Sequence, residues 1–189
     1  FEKEFGNYIE NHLTLCLNSG TAALHIALTL IGAGPGDEVI STAMTAEPTN
    51  TTIALTGAKI VWADVDFRTG LLDPIDVRKK ITHKTKAIML VHYAGMVCDN
   101  IPIIEDTAHA LGSKYNGKAV GSNSEYTCFS FQAIKHMTTV DGGALALKSE
   151  EKLALARKLK WFGLDKKIPR LENDIKVAGY KYGMNNVTA

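Results

Sequence analysis

Three stretches of this 189-residue chain carry side chains that could do chemistry, and they lie far apart in sequence. One is Phe129-Ser130-Phe131-Gln132-Ala133-Ile134-Lys135-His136, followed at once by Met137-Thr138-Thr139-Val140-Asp141-Gly142-Gly143. A lysine leaving an apolar run for a Gly-Gly turn is placed where its charged form is disfavoured, which frees the amine to form a Schiff base. The competing reading is a solvated surface charge. Another is Glu105-Asp106-Thr107-Ala108-His109, which follows directly on an apolar run. It puts a carboxylate and an imidazole at the carboxyl end of a strand, where open α/β sheets bind ligands. Asp106 and His109 could instead be a solvated loop or half of a metal site, although no further acid or histidine stands at ligand spacing. The remaining stretch is Ser19-Gly20-Thr21, ahead of the nearly all-apolar run 22–31. There the free N–H groups of a helix start could hold a phosphate, or Ser19 and Thr21 could serve only as caps.

These groups need a scaffold, and the hydrophobic pattern supplies one. Gly32-Ala33-Gly34-Pro35-Gly36-Asp37 looks like a dinucleotide fingerprint, but it follows a helix and leads into a strand, the reverse of what that motif requires, so it reads as a helix stop and a turn. Beyond it the pattern predicts a strand over 38–41, a helix over 45–55 ended by Gly57, and a strand over 59–66. A short helix from Leu72-Asp73-Pro74 through Ile81 precedes a strand over 86–92 and another over 101–105. Strands over 126–131 and 142–147 come next, then a helix capped by Ser149 and running through Leu159. Strands alternating with helices predict an α/β fold, a three-layer α/β/α sandwich with a mainly parallel sheet. One junction conflicts with it. Only Tyr93 to Asn100 separate two of the strands, and a parallel crossover needs at least about 10–12 residues. Either those strands are not parallel neighbours or a segment is missing near Asn100 and Ile101, and the second is favoured.

Composition narrows the partners. The chain is 46% hydrophobic and 22% charged with a formal charge of +1, which gives no global attraction to nucleic acid or to an anionic membrane. Cys16, Cys98 and Cys128 lack CxxC spacing and lie in or beside apolar runs, as buried thiols of a reducing compartment do. No apolar segment approaches a membrane span, and Phe1-Glu2-Lys3-Glu4-Phe5 has no signal-peptide pattern, so a cytoplasmic protein is expected.

Ser19-Gly20-Thr21, Asp106 with His109, Ser130 and Lys135 together form the set that pyridoxal phosphate requires. A lysine holds the aldehyde, a carboxylate keeps the pyridine nitrogen protonated, and donors grip the phosphate. Asn18-Ser19-Gly20-Thr21-Ala22-Ala23-Leu24-His25, Gly34-Pro35-Gly36-Asp37-Glu38-Val39-Ile40, Ile104-Glu105-Asp106-Thr107-Ala108-His109-Ala110-Leu111-Gly112 and the run from Cys128 to Gly143 carry a resemblance over nearly the whole chain. The sequence resembles the sugar aminotransferases of the DegT/DnrJ/EryC1/StrS family, of the aspartate-aminotransferase fold (fold type I). The resemblance implies that Lys135 is the catalytic lysine, that Asp106 pairs with the pyridine nitrogen, and that His109 lies near the cofactor's phenolic oxygen. Gly20, Thr21 and Ser130 would bind the phosphate. It further implies a homodimer that moves an amino group from glutamate or glutamine to a nucleotide-linked keto-sugar, with pyridoxamine 5'-phosphate as the intermediate form.

Two positions depart from the pattern. Ala46 stands where many members stack an aromatic residue on the ring, and Gly183 stands where an Asn often reaches the partner subunit's phosphate. A smaller C-terminal domain is also missing, so residues 1–189 are expected to be an incomplete cofactor-binding large domain. Two rivals remain at this point: a non-catalytic or sensory relative of the same fold, and a pyridoxamine-phosphate-dependent sugar dehydratase, which would use a histidine in place of the lysine.

Overall fold

The computed structural model describes residues 1–92, 104–122 and 124–189. Within them the chain forms, in order, α1 (Glu2–Tyr8), β1 (Thr14–Leu17), α2 (Gly20–Ile31), β2 (Glu38–Ser41), α3 (Glu47–Thr56), β3 (Lys59–Trp62), α4 (Pro74–Lys80) and β4 (Thr85–Val91). It continues through β5 (Ile104–Asp106), β6 (Lys114–Tyr115), β7 (Lys118–Ala119), β8 (Tyr126–Ser130), β9 (Gly143–Leu147) and α5 (Glu150–Leu159).

Local chemistry sets most helix ends. The Ser19 hydroxyl accepts from Ala22 N at 3.1 Å to start α2, and Gly32 ends it at φ +74°. Asp73 caps α4 through Ile75 N at 2.9 Å, and Ser149 caps α5 through Lys152 N at 3.2 Å. α3 begins at Glu47, two residues later than the pattern predicted, because Ala46 stays extended and Pro48 fits only the first turn.

Seven strands form one sheet in the order β1-β9-β8-β5-β4-β2-β3. β2, β3, β4, β5 and β8 pair in parallel, while β9 runs antiparallel to both β8 and β1. Side chains alternate across the sheet. Cys128, Leu145 and Leu147 join α2, α3 and α5 in one apolar cluster, whereas Phe129, Ala144 and Ala146 face Phe5 of α1. Ile40, Ile88 and Leu90 pack with Val77 of α4 in a third cluster. Every residue of α2 from Ala22 to Leu28 is buried, and each large aliphatic among them contributes about 1.5–3 kcal/mol. The three-layer α/β architecture expected from the alternating pattern is therefore present, with α2 buried against one face of the sheet.

The differences have identifiable causes. The strand predicted over 59–66 stops at Trp62, because the Asp64 and Asp66 carboxylates turn back to Val65 N and Arg68 N, both at 2.8 Å, and break the ladder. The strand predicted over 126–131 ends at Ser130, and the one predicted from 142 begins at Gly143. β4 and β5 are parallel neighbours, with Met89 opposite Ile104, and because β5 begins at Ile104 rather than at 101, residues 92–103 separate the two strands, which meets the crossover minimum of about 10–12 residues. The segment expected to be missing near Asn100 and Ile101, and Cys98 with it, lies outside the described residues. Cys16 and Cys128 are buried free thiols.

Candidate active site

The site is assembled at the carboxyl edge of the sheet. Asp106 ends β5 opposite Cys128, and two residues farther along β8 Ser130 ends that strand opposite Gly143. Between Ser130 and Gly143 the chain makes a loop closed at its neck by Phe131 N to Gly142 O at 2.8 Å and Thr139 N to Phe131 O at 3.0 Å. Lys135 sits on this loop, half-buried, in a turn made by its N–H donating to Gln132 O at 2.8 Å. The lysine thus lies five residues past the strand rather than at its end.

Lys135 Nζ lies 2.9 Å from His109 Nε2. Burial holds the His109 imidazolium form back, the nearby Lys135 charge adds to this, and Asp106 opposes both, with a net pKa below the ordinary histidine value. A charged Lys135 can only donate, so in that state Nε2 is the ring nitrogen without a proton. Asp106 is 7% exposed and accepts from Thr49 Oγ1 at 2.7 Å through Oδ2 and from Ala108 N at 3.2 Å through Oδ1. A carboxylate has about four acceptor positions, so lone pairs remain for a ligand.

The start of α2 reaches the same place by close backbone approach. A Cβ on Gly20 would lie 2.8 Å from Ser130 Cβ, and one on Gly143 would collide with the Ser19 carbonyl and lie 2.5 Å from Gly20 N. Glycine at both positions lets the helix start seat directly on β8 and β9. Ser19 satisfies Ala22 N and Ala23 N, while Gly20 N–H and Thr21 N–H find no partner among the described residues. Capping by Ser19 is therefore compatible with an anion at the same helix start, since its hydroxyl caps the helix and two N–H groups stay open with the helix dipole behind them.

A cleft of about 370 Å³ is lined by Ser19, Gly20, Thr21, Asp106, Ser130 and Lys135, among others. A smaller cavity of about 30 Å³ shares Asp106 and Lys135 and adds His109 and His92. The fold thus brings together all six candidates singled out in the sequence. These residues fit pyridoxal phosphate: two open N–H groups and the Ser130 hydroxyl for a phosphate, an acceptor in Asp106, and an amine at Lys135. Ala46 is exposed and lines both cavities, at the position where many members of the resembled family stack an aromatic residue. Gly183 is not in the lining; it bridges to Leu17 and packs beside Trp161. His136 turns to a separate hollow with Phe1, Phe5 and Leu111. Sequence reasoning passed over Thr49, whose only signal was a polar residue among the buried positions of α3.

Comparison with known proteins identifies the family. The family model for the DegT/DnrJ/EryC1/StrS aminotransferase family matches residues 1–189. The chain is 37% identical over 200 residues to the GDP-perosamine synthase of Caulobacter vibrioides, covering 100% of this chain and 53% of that protein. Among solved structures, the sugar aminotransferase CalS13 from Micromonospora echinospora superposes with a TM-score of 0.93 at 31% identity, covering 99% of this chain and 56% of that one. Spr1654 from Streptococcus pneumoniae, in its PLP form, gives 0.91 at 34% identity, covering 99% and 55%. The chain spans about half the length of the relatives it matches. With a match over every residue and a site built at the same sheet edge that the motifs predicted, this chain belongs to the DegT/DnrJ/EryC1/StrS aminotransferase family.

Proposed function

We propose that residues 1–189 are the cofactor-binding large domain of a pyridoxal-phosphate-dependent aminotransferase, which moves an amino group from glutamate or glutamine to a nucleotide-linked keto-sugar. The observation that carries this reading is Lys135 Nζ at 2.9 Å from His109 Nε2, beside Asp106 and the open start of α2. The names of relatives support the substrate class, since one is a GDP-perosamine synthase and another a sugar aminotransferase. The half-length match supports a single domain of a longer protein. Buried free thiols at Cys16 and Cys128 support a reducing, cytoplasmic setting.

Bound in the cleft, pyridoxal phosphate supplies an aldehyde that exchanges amines and a ring that spreads the electrons left when a carbon–hydrogen bond breaks. Lys135 Nζ is the resident amine. With the cofactor bound, Lys135 Nζ would be the base placed to move a proton at the reacting carbons. His109, neutral for the reasons above, accepts from Nζ and holds the lysine against the cleft. Asp106 offers its remaining lone pairs to a protonated ring nitrogen, and Gly20 N–H, Thr21 N–H and the Ser130 hydroxyl hold the phosphate.

Ile134 lines the cleft next to Lys135 and Val140 lies on the same loop, 81% and 77% exposed. Apolar side chains exposed on the loop that carries a reactive amine support a homodimer in which the second subunit covers them. The dehydratase reading, which needs a histidine in place of the lysine, is disfavoured because His136 lines a different hollow.

The test is the visible absorption of the full-length protein with pyridoxal phosphate. A band that bleaches with glutamate and returns with a keto-sugar nucleotide is expected. A protein that never develops the band refutes the reading and points to a non-catalytic relative.

A further inference from the structure

We propose that Thr49 is a positioning residue for Asp106, with Thr45 behind it as the second link of a polarised hydroxyl relay. The inference rests on the reading of Asp106 as the partner of a protonated ring nitrogen. Thr49 Oγ1 lies 2.7 Å from Asp106 Oδ2 and Thr45 Oγ1 lies 2.8 Å from Thr49 Oγ1. A carboxylate only accepts, so the single hydroxyl hydrogen of Thr49 goes to Asp106. Thr49 must then accept from Thr45, which orients both hydroxyl dipoles toward the carboxylate and strengthens each bond through the other.

The usual behaviour of a helical threonine makes this arrangement informative. Thr52 donates to Thr49 O at 2.9 Å, Thr56 to Ile53 O at 2.7 Å and Thr29 to His25 O at 2.8 Å, each within its own helix. Thr49, 1% exposed, instead sends its hydroxyl across to a residue 57 positions away. Ala108 N holds the other carboxylate oxygen at 3.2 Å. Asp106 is therefore pinned from two sides, by α3 and by its own loop, and its free lone pairs have one orientation to offer. Removing the Thr49 hydroxyl leaves the carboxylate free to rotate and takes away a charge-assisted bond.

The experiment compares Thr49→Val, Thr49→Ser, Thr45→Val and Thr52→Val in the full-length protein. Pyridoxal phosphate affinity is read by equilibrium dialysis, the pH at which the bound cofactor's visible band changes by absorption, and folding by circular dichroism. Thr49→Val should bind about tenfold more weakly and move that pH, the effect of losing one bond to a charged group. Thr49→Ser should bind as the wild type does. Thr45→Val, one link removed, should weaken binding roughly threefold. Thr52→Val loses an equally buried hydroxyl from the same helix, and should leave affinity and the titration unchanged even where it melts earlier. Wild-type protein that binds no cofactor overturns the reading of the site, and the inference with it. Wild-type protein that binds while Thr49→Val binds equally well overturns the inference alone. Should Thr49→Val fail to fold, Thr45→Val decides, and an unchanged affinity there rejects the relay.

Discussion

Val140 carries the sharpest stability prediction because its backbone and side chain disagree. It adopts φ +72° in the loop that holds Lys135, a region where a β-branched residue is a genuine outlier. The loop imposes this conformation. Val140 N donates to Thr138 Oγ1 at 2.9 Å, and Thr139 is held on one side by Phe131 O at 3.0 Å and on the other by Asp141 O at 2.9 Å. The crowding of Cβ against the backbone costs about 2 kcal/mol at the upper end of the left-handed penalty. With 77% of Val140 exposed, deleting its side chain gives up at most about 0.5 kcal/mol of burial. Glycine's extra freedom in the unfolded chain costs another 0.5–1 kcal/mol or so. Val140→Gly should therefore stabilise the protein by about 0.5–1 kcal/mol and raise Tm by roughly 2–3 °C. Val140→Ala loses the same burial while keeping much of the penalty, so it should gain nothing, and Val140→Asn should fall between the two. Calorimetric melts of the three variants check the order. A Val140→Gly protein that melts below the wild type would mean that φ is negative there and that the loop does not hold Lys135 as described.

The other expectations concern the site and its supports. Lys135→Ala should fold normally by circular dichroism and develop no visible band with pyridoxal phosphate; a variant that still turned over a keto-sugar nucleotide would sink the assignment of the lysine. Gly143→Ala places a methyl group against the Ser19 carbonyl and Gly20 N, so it should cost about 1–3 kcal/mol in a urea melt. It should also weaken cofactor binding by roughly tenfold as the start of α2 is pushed away. Equal affinity in that variant contradicts the phosphate role given to Gly20 and Thr21. His25 is buried with Nδ1 3.0 Å from the Tyr182 hydroxyl, and burial lowers its pKa below the unfolded value of about 6.5. The unfolded chain then binds the proton more readily, so stability is complete above that pH and is lost as pH falls from about 6.5 through the lower folded value. His25→Leu should flatten this part of the pH–stability curve, and an unchanged slope would place the cause elsewhere.

What could be read from the chain followed the range of the forces involved. The limits of α2 were legible because Ser19 and Gly32 act on their immediate neighbours. So were Asp73 at α4 and Ser149 at α5, each a cap bonded within three residues. β1 was not legible: its four buried residues owe their strand state to pairing with residues 143–146 of β9, more than a hundred residues away. α1 escaped for the same reason, since Phe5 is buried against Phe129 and Phe131 at ring distances of 5.2 and 5.0 Å. In the site, Lys135, Asp106 and His109 stood out because such polar groups are costly to bury without a use. Thr49 did not, because a threonine in a helix with Thr51, Thr52 and Thr56 looks like any other until its hydroxyl is seen to leave the helix.

Among the described residues, the one antiparallel strand of the seven-stranded sheet, β9, explains how three distant stretches meet. Every other strand of the large sheet points its carboxyl end to the same edge, including β1, whose last residue Leu17 pairs with Gly143. A parallel strand after β8 would need a crossover that carries the chain away across the sheet face. By reversing, β9 keeps residues 131–142 as a tight loop at that edge, so Lys135 stays beside Asp106 at the end of neighbouring β5. The same reversal sets Gly143 at the edge between Ser130 and Leu17. There its missing side chain makes room for the Ser19 carbonyl and the start of α2. The lysine loop and the open helix start thus depend on a single register, β8 against β9. A slip of one residue would bring Gly142 or Ala144 to the Gly143 position and reverse the faces of the buried run. The chemistry of Lys135 and the seating of Gly20 are for this reason one structural commitment, and a change that disturbs either should register in both.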